Sequence, residues 1–236
     1  MATNMKRFLP FAVALLALPL LTSAQTGLPE KGHPDSTKWK ALFKPDLSNA
    51  VFTKGIWTAE DGVMTASKDE AIWSDRDYEN FMIDLEFKTT EGANSGVVIY
   101  ASDINDWIPN SIEIQILDDY ASKWADAAKS WQCGAAFGHQ GPTKRTVKKP
   151  GEWNRMTLLC QGSKVVVVLN GERINELDLT KYTSATKNPD GTEVPSWLAK
   201  RSLSSLATKG RIGLQGKHAD AAIFFRNVRI QELKAP

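Results

Sequence analysis

Ser111-Ile112-Glu113-Ile114-Gln115-Ile116-Leu117-Asp118-Asp119 is the stretch whose reading decides the fold. Three isoleucines at alternate positions give an extended strand one apolar face. Glu113 and Gln115 then project side by side from the opposite face, and two acids close the strand. The same period of two recurs at Phe81, Ile83, Leu85 and Phe87, which alternate with Met82, Asp84 and Glu86. Residues 96–101, 154–160, 164–169 and 222–230 read as further strands. Asn170-Gly171, between two such runs, is a hairpin turn, because both residues tolerate positive φ. Many short strands without a long helical period predict an all-β sandwich or barrel of antiparallel sheets.

The chain has 236 residues, 42% of them hydrophobic and 24% charged. That excludes a disordered chain and a collagen-like repeat. Its formal charge of +2 is located at the start. Lys6 and Arg7 precede the apolar run 8–21, which Thr22-Ser23-Ala24 follows. These are the parts of a cleavable signal peptide, residues 1–24, and they predict a periplasmic or secreted protein. The run is too short for a membrane-spanning helix, so no membrane anchor is expected after cleavage. Without Lys6 and Arg7 the charges balance at 27 of each sign, which removes the electrostatic basis for a nucleic-acid partner. Residues 25–38 read as an N-terminal tail and 39–236 as one domain. Cys133 and Cys160 would enter an oxidising compartment, where they form one disulfide or remain two small buried residues.

Polar residues at strand ends are the candidates for chemistry. Glu113 and Gln115 form either a site or a solvated sheet face. Gln215, Lys217 and His218 end the run Arg211-Ile-Gly-Leu-Gln-Gly-Lys-His218, where Gly213 and Gly216 admit a close approach to the backbone or mark a bulge. His139 follows Phe137-Gly138, Asn94-Ser-Gly96 opens a strand, and Tyr100 would share a strand face with Gly96 and Val98. Trp107, Trp124, Trp131 and Trp197 fall in expected loops, where each stacks on a sugar ring or pins its own loop. No phosphate-binding glycine loop, HExxH zinc motif or GxSxG elbow is present. A retaining glycosidase needs two carboxylates across the scissile bond. Jelly-roll glucanases place theirs as Glu-x-Asp-x-(x)-Glu on one strand, and Gln115 at the middle position argues against that chemistry.

Six segments occur in a telling order: Asn94-Ser-Gly96; Glu113-x-Gln115-x-x-Asp118-Asp119; Gly151-Glu-Trp-Asn154; Asn170-Gly171; Ile212-Gly-Leu-Gln-Gly-Lys-His218; and Phe225-Arg-Asn-Val-Arg-Ile230. Together, from about Trp39 to Leu233, they resemble the 3-keto-disaccharide hydrolase family, also described as 3-keto-glucoside 1,2-lyase / 3-keto-2-hydroxyglucal hydratase domains. The resemblance implies a concanavalin-like jelly roll of two antiparallel sheets and a small carbohydrate substrate oxidised at C3. The ketone acidifies the C2 proton, so cleavage needs a base, a stabiliser of the enolate and an acid for the leaving group.

On that reading Glu113 and His218 are the proton-transfer pair, with His218 preferred as base. Lys217 or a divalent metal offsets the enolate charge. Gln115, Asn94, Tyr100, His139, Gln215 and Trp107 contact the sugar. Asp118 and Asp119 hold a metal or cap the strand, with Ca²⁺ or Mg²⁺ suited to oxygen ligands and a softer transition ion to histidine. Arg226 supports the site or forms a salt bridge elsewhere. The competing reading is a non-catalytic carbohydrate-binding module or lectin on the same fold.

Overall fold

A computed structural model describes Met1, residues 28–29, 31–218 and 220–236. The expected signal peptide lies outside the described residues, apart from Met1. The strands are β1 (Lys40–Ala41), β2 (Ala50–Val51), β3 (Trp57–Glu60), β4 (Val63–Ala66), β5 (Ile72–Ser74), β6 (Phe81–Thr89) and β7 (Asn94–Ala101). They continue with β8 (Ile112–Leu117), β9 (Asn154–Gln161), β10 (Lys164–Leu169), β11 (Glu172–Asp178), β12 (Arg211–Leu214) and β13 (Ile223–Glu232). Among the described residues no helix is long and apolar enough to cross a membrane.

The strands form two antiparallel sheets. The larger runs β11-β10-β9-β6-β13-β4-β3, with β1 paired to β13. The smaller runs β2-β5-β12-β7-β8. Sequence neighbours are interleaved within both sheets, so the chain is the expected jelly-roll sandwich. Ile112, Ile114 and Ile116 meet Phe81, Ile83, Leu85 and Phe87 in the core between the sheets, as the alternation requires. Asn170 (φ 52°) and Gly171 (φ 85°) form the two-residue hairpin between β10 and β11.

Two features depart from the sequence reading, and a third decides between alternatives it left open. The segment read as a tail is bound to the sheet. Leu28 packs on Met82, Leu159, Val166 and Val168, and Gly32 N–H donates to Gly171 O at 2.8 Å. Ser36 Oγ donates to the buried Asp84, which also holds Arg155 and Thr157. Asp84 is therefore covered where the alternation predicted solvent. Secondly, Tyr100 faces the core. Between Val98↔Gly213 and Ala101↔Arg211, β7 has one residue more than β12. That bulge, with Tyr100 at φ 59°, turns the ring onto Phe81, 5.9 Å between centroids. Finally, Cys133 and Cys160 are free thiols, both buried in the main core, and burial pushes both up from the ordinary thiol range.

Candidate active site on the outer face of the smaller sheet

The outer face of β8, with Asn94 at the start of β7 and Gln215 and His218 just after β12, lines the floor of a cavity of about 480 Å³. Beyond β8 the chain folds back as a short additional edge. Gly134 N–H donates to Gln115 O, Gln115 N–H to Ala135 O, and Phe137 N–H to Glu113 O. These bonds hold the insertion after β8 over the floor. Phe137 then stands beside Glu113, and Trp131 and Trp197 pack on it at centroid distances of 5.2 and 5.6 Å.

Glu113 rises from near the start of β8. A Cβ on Gly96, in the neighbouring strand, would lie 2.2 Å from Glu113 Oε1, so glycine at 96 is what leaves room for this carboxyl. Burial, reinforced by the negative charge of Asp69, pushes Glu113 up to about 8. It is therefore mostly protonated at neutral pH. The Gln115 and Asn94 amides meet at 3.0 Å. In the orientation that satisfies its surroundings, the Gln115 NH₂ donates to Ser95 O at 3.2 Å and to Glu113 Oε1 at 3.3 Å.

His218 comes from the segment after β12, where it bridges Asn94 in antiparallel register. Its Nδ1 lies 2.5 Å from Asp69 Oδ2. Asp69 follows β4 and carried no signal in the sequence. Gly216 brings it into place: a Cβ there would lie 2.3 Å from Lys68 O and 2.5 Å from Glu70 O. The Lys217 N–H donates to Lys68 O at 2.9 Å, locking the two segments together. Of the two readings of Gly216, close approach is the one realised. Gln215 Nε2 lies 3.4 Å from the other Asp69 oxygen. With Nδ1 engaged by a carboxylate, Nε2 is the His218 nitrogen left for proton transfer.

The walls are aromatic. All four loop tryptophans, Trp107, Trp124, Trp131 and Trp197, line the cavity. Among the described residues the buried Trp124 Nε1–H and Gln215 Oε1 have no hydrogen-bond partner. Buried polar atoms are seldom left so, and a donor and an acceptor beside one cavity suit a hydroxylated ligand. His139 also lines it, with Nδ1 at 2.9 Å from Asn188 Oδ1, and burial lowers its pKa.

Four expected residues lie elsewhere. Tyr100 is in the core, for the reason given above. Lys217 adjoins His218 in sequence but is not on the cavity wall. Asp118 caps the turn after β8: its oxygens accept from Gly92 N–H at 2.8 Å and Tyr120 N–H at 3.0 Å. Asp119 Oδ1 accepts from Cys133 N–H at 3.0 Å, and Arg145 Nε lies 3.9 Å from Oδ2. Both acids are tied to neighbouring loops, and no group of three or more His, Cys, Asp or Glu among the described residues is arranged to hold a metal ion. They do not fit the divalent ion expected there. Arg226 pairs with Glu86 at 2.6 Å on the larger sheet and stacks over Trp153, the structural alternative for that residue.

A family model of the 3-keto-alpha-glucoside-1,2-lyase-like domain matches residues 32–231. The chain belongs to this family. A curated relative is the 3-keto-disaccharide hydrolase of Bacteroides thetaiotaomicron, 26% identical over 205 residues, covering 75% of this chain and 70% of the relative. A solved structure from Parabacteroides distasonis, described as a glycosyl hydrolase candidate, is 53% identical with a TM-score of 0.81, covering 83% of this chain and all of that one. A second from the same organism, 22% identical, shares the fold with a TM-score of 0.62 over 80% of this chain and 90% of its own. Family and relatives together support a carbohydrate-active enzyme of glycosyl hydrolase type.

Proposed function

We propose that this protein cleaves 3-keto-glycosides by removing the C2 proton and expelling the C1 substituent, and that it acts after export. The observation that carries the reading is the arrangement of Glu113 and the Asp69–His218 pair on one cavity wall. One group is protonated at neutral pH and the other is built as a base, which is the division of labour that elimination requires.

His218 Nε2 takes the C2 proton of the keto sugar. The C2–H electrons form an enolate across C2, C3 and the C3 oxygen. The enolate returns its electrons to form the C1–C2 double bond as the C1–O bond breaks. Glu113 gives its proton to the departing oxygen. The products are a 3-keto-2-hydroxyglucal and the free leaving group. Water then adds at C1 and C2 regains a proton, so the sum is hydrolysis.

Asp69 holds the imidazole in orientation and stabilises its protonated form. With Lys217 off the wall, the Asn94, Gln115 and Gln215 amides, the unpartnered Trp124 Nε1–H and the imidazolium are groups that can steady the enolate oxygen. The tryptophans stack on C–H faces of the sugar and exclude water.

The test is incubation with a 3-keto-disaccharide and with its unoxidised parent, following sugar release chromatographically. Release from the keto form alone supports the reading. Release from the parent contradicts it, and binding without release favours the lectin.

A further inference from the structure

A second hollow of about 390 Å³ lies on the same sheet face, on the far side of Trp107. Asp69, Trp107 and Gln215 line both hollows, so the two share a wall. Phe52, Trp73 and Ile104 give the second an apolar lining, with the Trp73 and Trp107 rings 6.1 Å apart at 62°. Glu70 and Asn105 add polar groups to the same lining.

We infer that this hollow is a second sugar subsite, which holds a neutral hexopyranose unit of the leaving group while the keto sugar sits against Glu113 and His218. The inference rests on the functional reading above and extends it to the substrate class: the catalytic cavity, about 480 Å³, has room for both units of a disaccharide, so a unit in the adjoining hollow is a third and the substrate is a 3-keto-oligosaccharide longer than two units. A pyranose matches the lining. Its C–H face suits the Trp73 and Trp107 rings, and its hydroxyls suit the carboxylates and the amide of the same lining. Asp69 and Glu70 are acids, and they disfavour a uronate or a phosphorylated sugar there. Contiguity with the candidate catalytic cavity points to a unit of the same substrate rather than a separate ligand.

The experiment compares kcat/KM for a 3-keto-disaccharide and for a 3-keto-trisaccharide extended at the leaving-group end. The trisaccharide should be favoured on the order of tenfold. Asn105→Ala removes a polar contact and Val51→Arg sets a long side chain across the hollow. Both lie at exposed positions, and each should bring that ratio towards one. A ratio near one in the wild type, unchanged by either variant, overturns the subsite. Calorimetric binding of the unoxidised sugars separates this outcome from failure of the functional reading. If no keto sugar is turned over, tighter binding of the trisaccharide that both variants abolish still supports the subsite, and equal binding of the two sugars overturns it.

Discussion

Asp69 Oδ2 stands 2.5 Å from His218 Nδ1, although 149 positions separate them in the chain. The pair exists because Gly216 lets two backbone segments touch. His218→Ala should therefore lower kcat/KM for a 3-keto-disaccharide by on the order of 10²–10⁴-fold. Asp69→Asn should cost less, and its loss should fall on kcat rather than on KM, because the imidazole loses the partner that orients it. A loss confined to KM in an active Asp69→Asn variant would count against the positioning role.

Glu113 is raised to about 8 chiefly by burial. As the acid it must be protonated, so kcat/KM should fall as pH rises through about 8. Glu113→Gln should remove that alkaline limb and most of the activity. Because the folded pKa lies above the unfolded one, the native state also loses stability across the interval from about 4.5 to about 8. Glu113→Gln should abolish that loss, which chemical denaturation at several pH values would read.

Gly96→Ala tests the cradle. The new methyl would sit 2.2 Å from Glu113 Oε1, so the carboxyl must move. Activity should drop by at least about tenfold, since misplacement by about an ångström is costly for catalysis. Far-ultraviolet circular dichroism should remain that of the wild-type sandwich.

His33 and His139 are held below their ordinary 6.5, in both cases mainly by burial. Each binds a proton more readily when unfolded, so stability should fall as pH drops below about 6.5. His33 Nε2 accepts from Gly171 N–H at 2.9 Å, which a protonated ring cannot do. Thermal melting from pH 7.5 to 5 in a Glu113→Gln background, which removes the opposite contribution of Glu113, should show this decline, and adding His33→Gln should reduce it.

The alternation at 112–117 made the sandwich legible and placed Glu113 and Gln115 on one face. His218 was legible from its position after a glycine-rich strand end, and the loop tryptophans were legible as a set. Asp69 was not, because a loop acid gains meaning only from a contact made by a distant glycine. Tyr100 misled because one inserted residue at positive φ reverses the alternation. Asp118 and Asp119 left two readings open, because side chains that cap loops and side chains that bind metals are the same residue types. The docked residues 28–29 and 31–38 have no periodicity, since scattered contacts, Leu28 in an apolar cluster and hydrogen bonds to Asp84 and Gly171, hold them rather than a repeating face.

Loss of the C2 proton is the central claim, and isotope exchange in D₂O tests it most directly. A 3-keto-disaccharide should be turned over at early times, before spontaneous exchange, and the released 3-keto-sugar examined by NMR and mass spectrometry. The account predicts deuterium at C2 of the 3-keto product, delivered from solvent as C2 is reprotonated, and none at C2 in the sugar liberated as leaving group. Product that retains protium at C2, from a substrate whose turnover is not slowed by deuterium placed at C2, would mean that the glycosidic bond breaks without elimination, and would contradict the account.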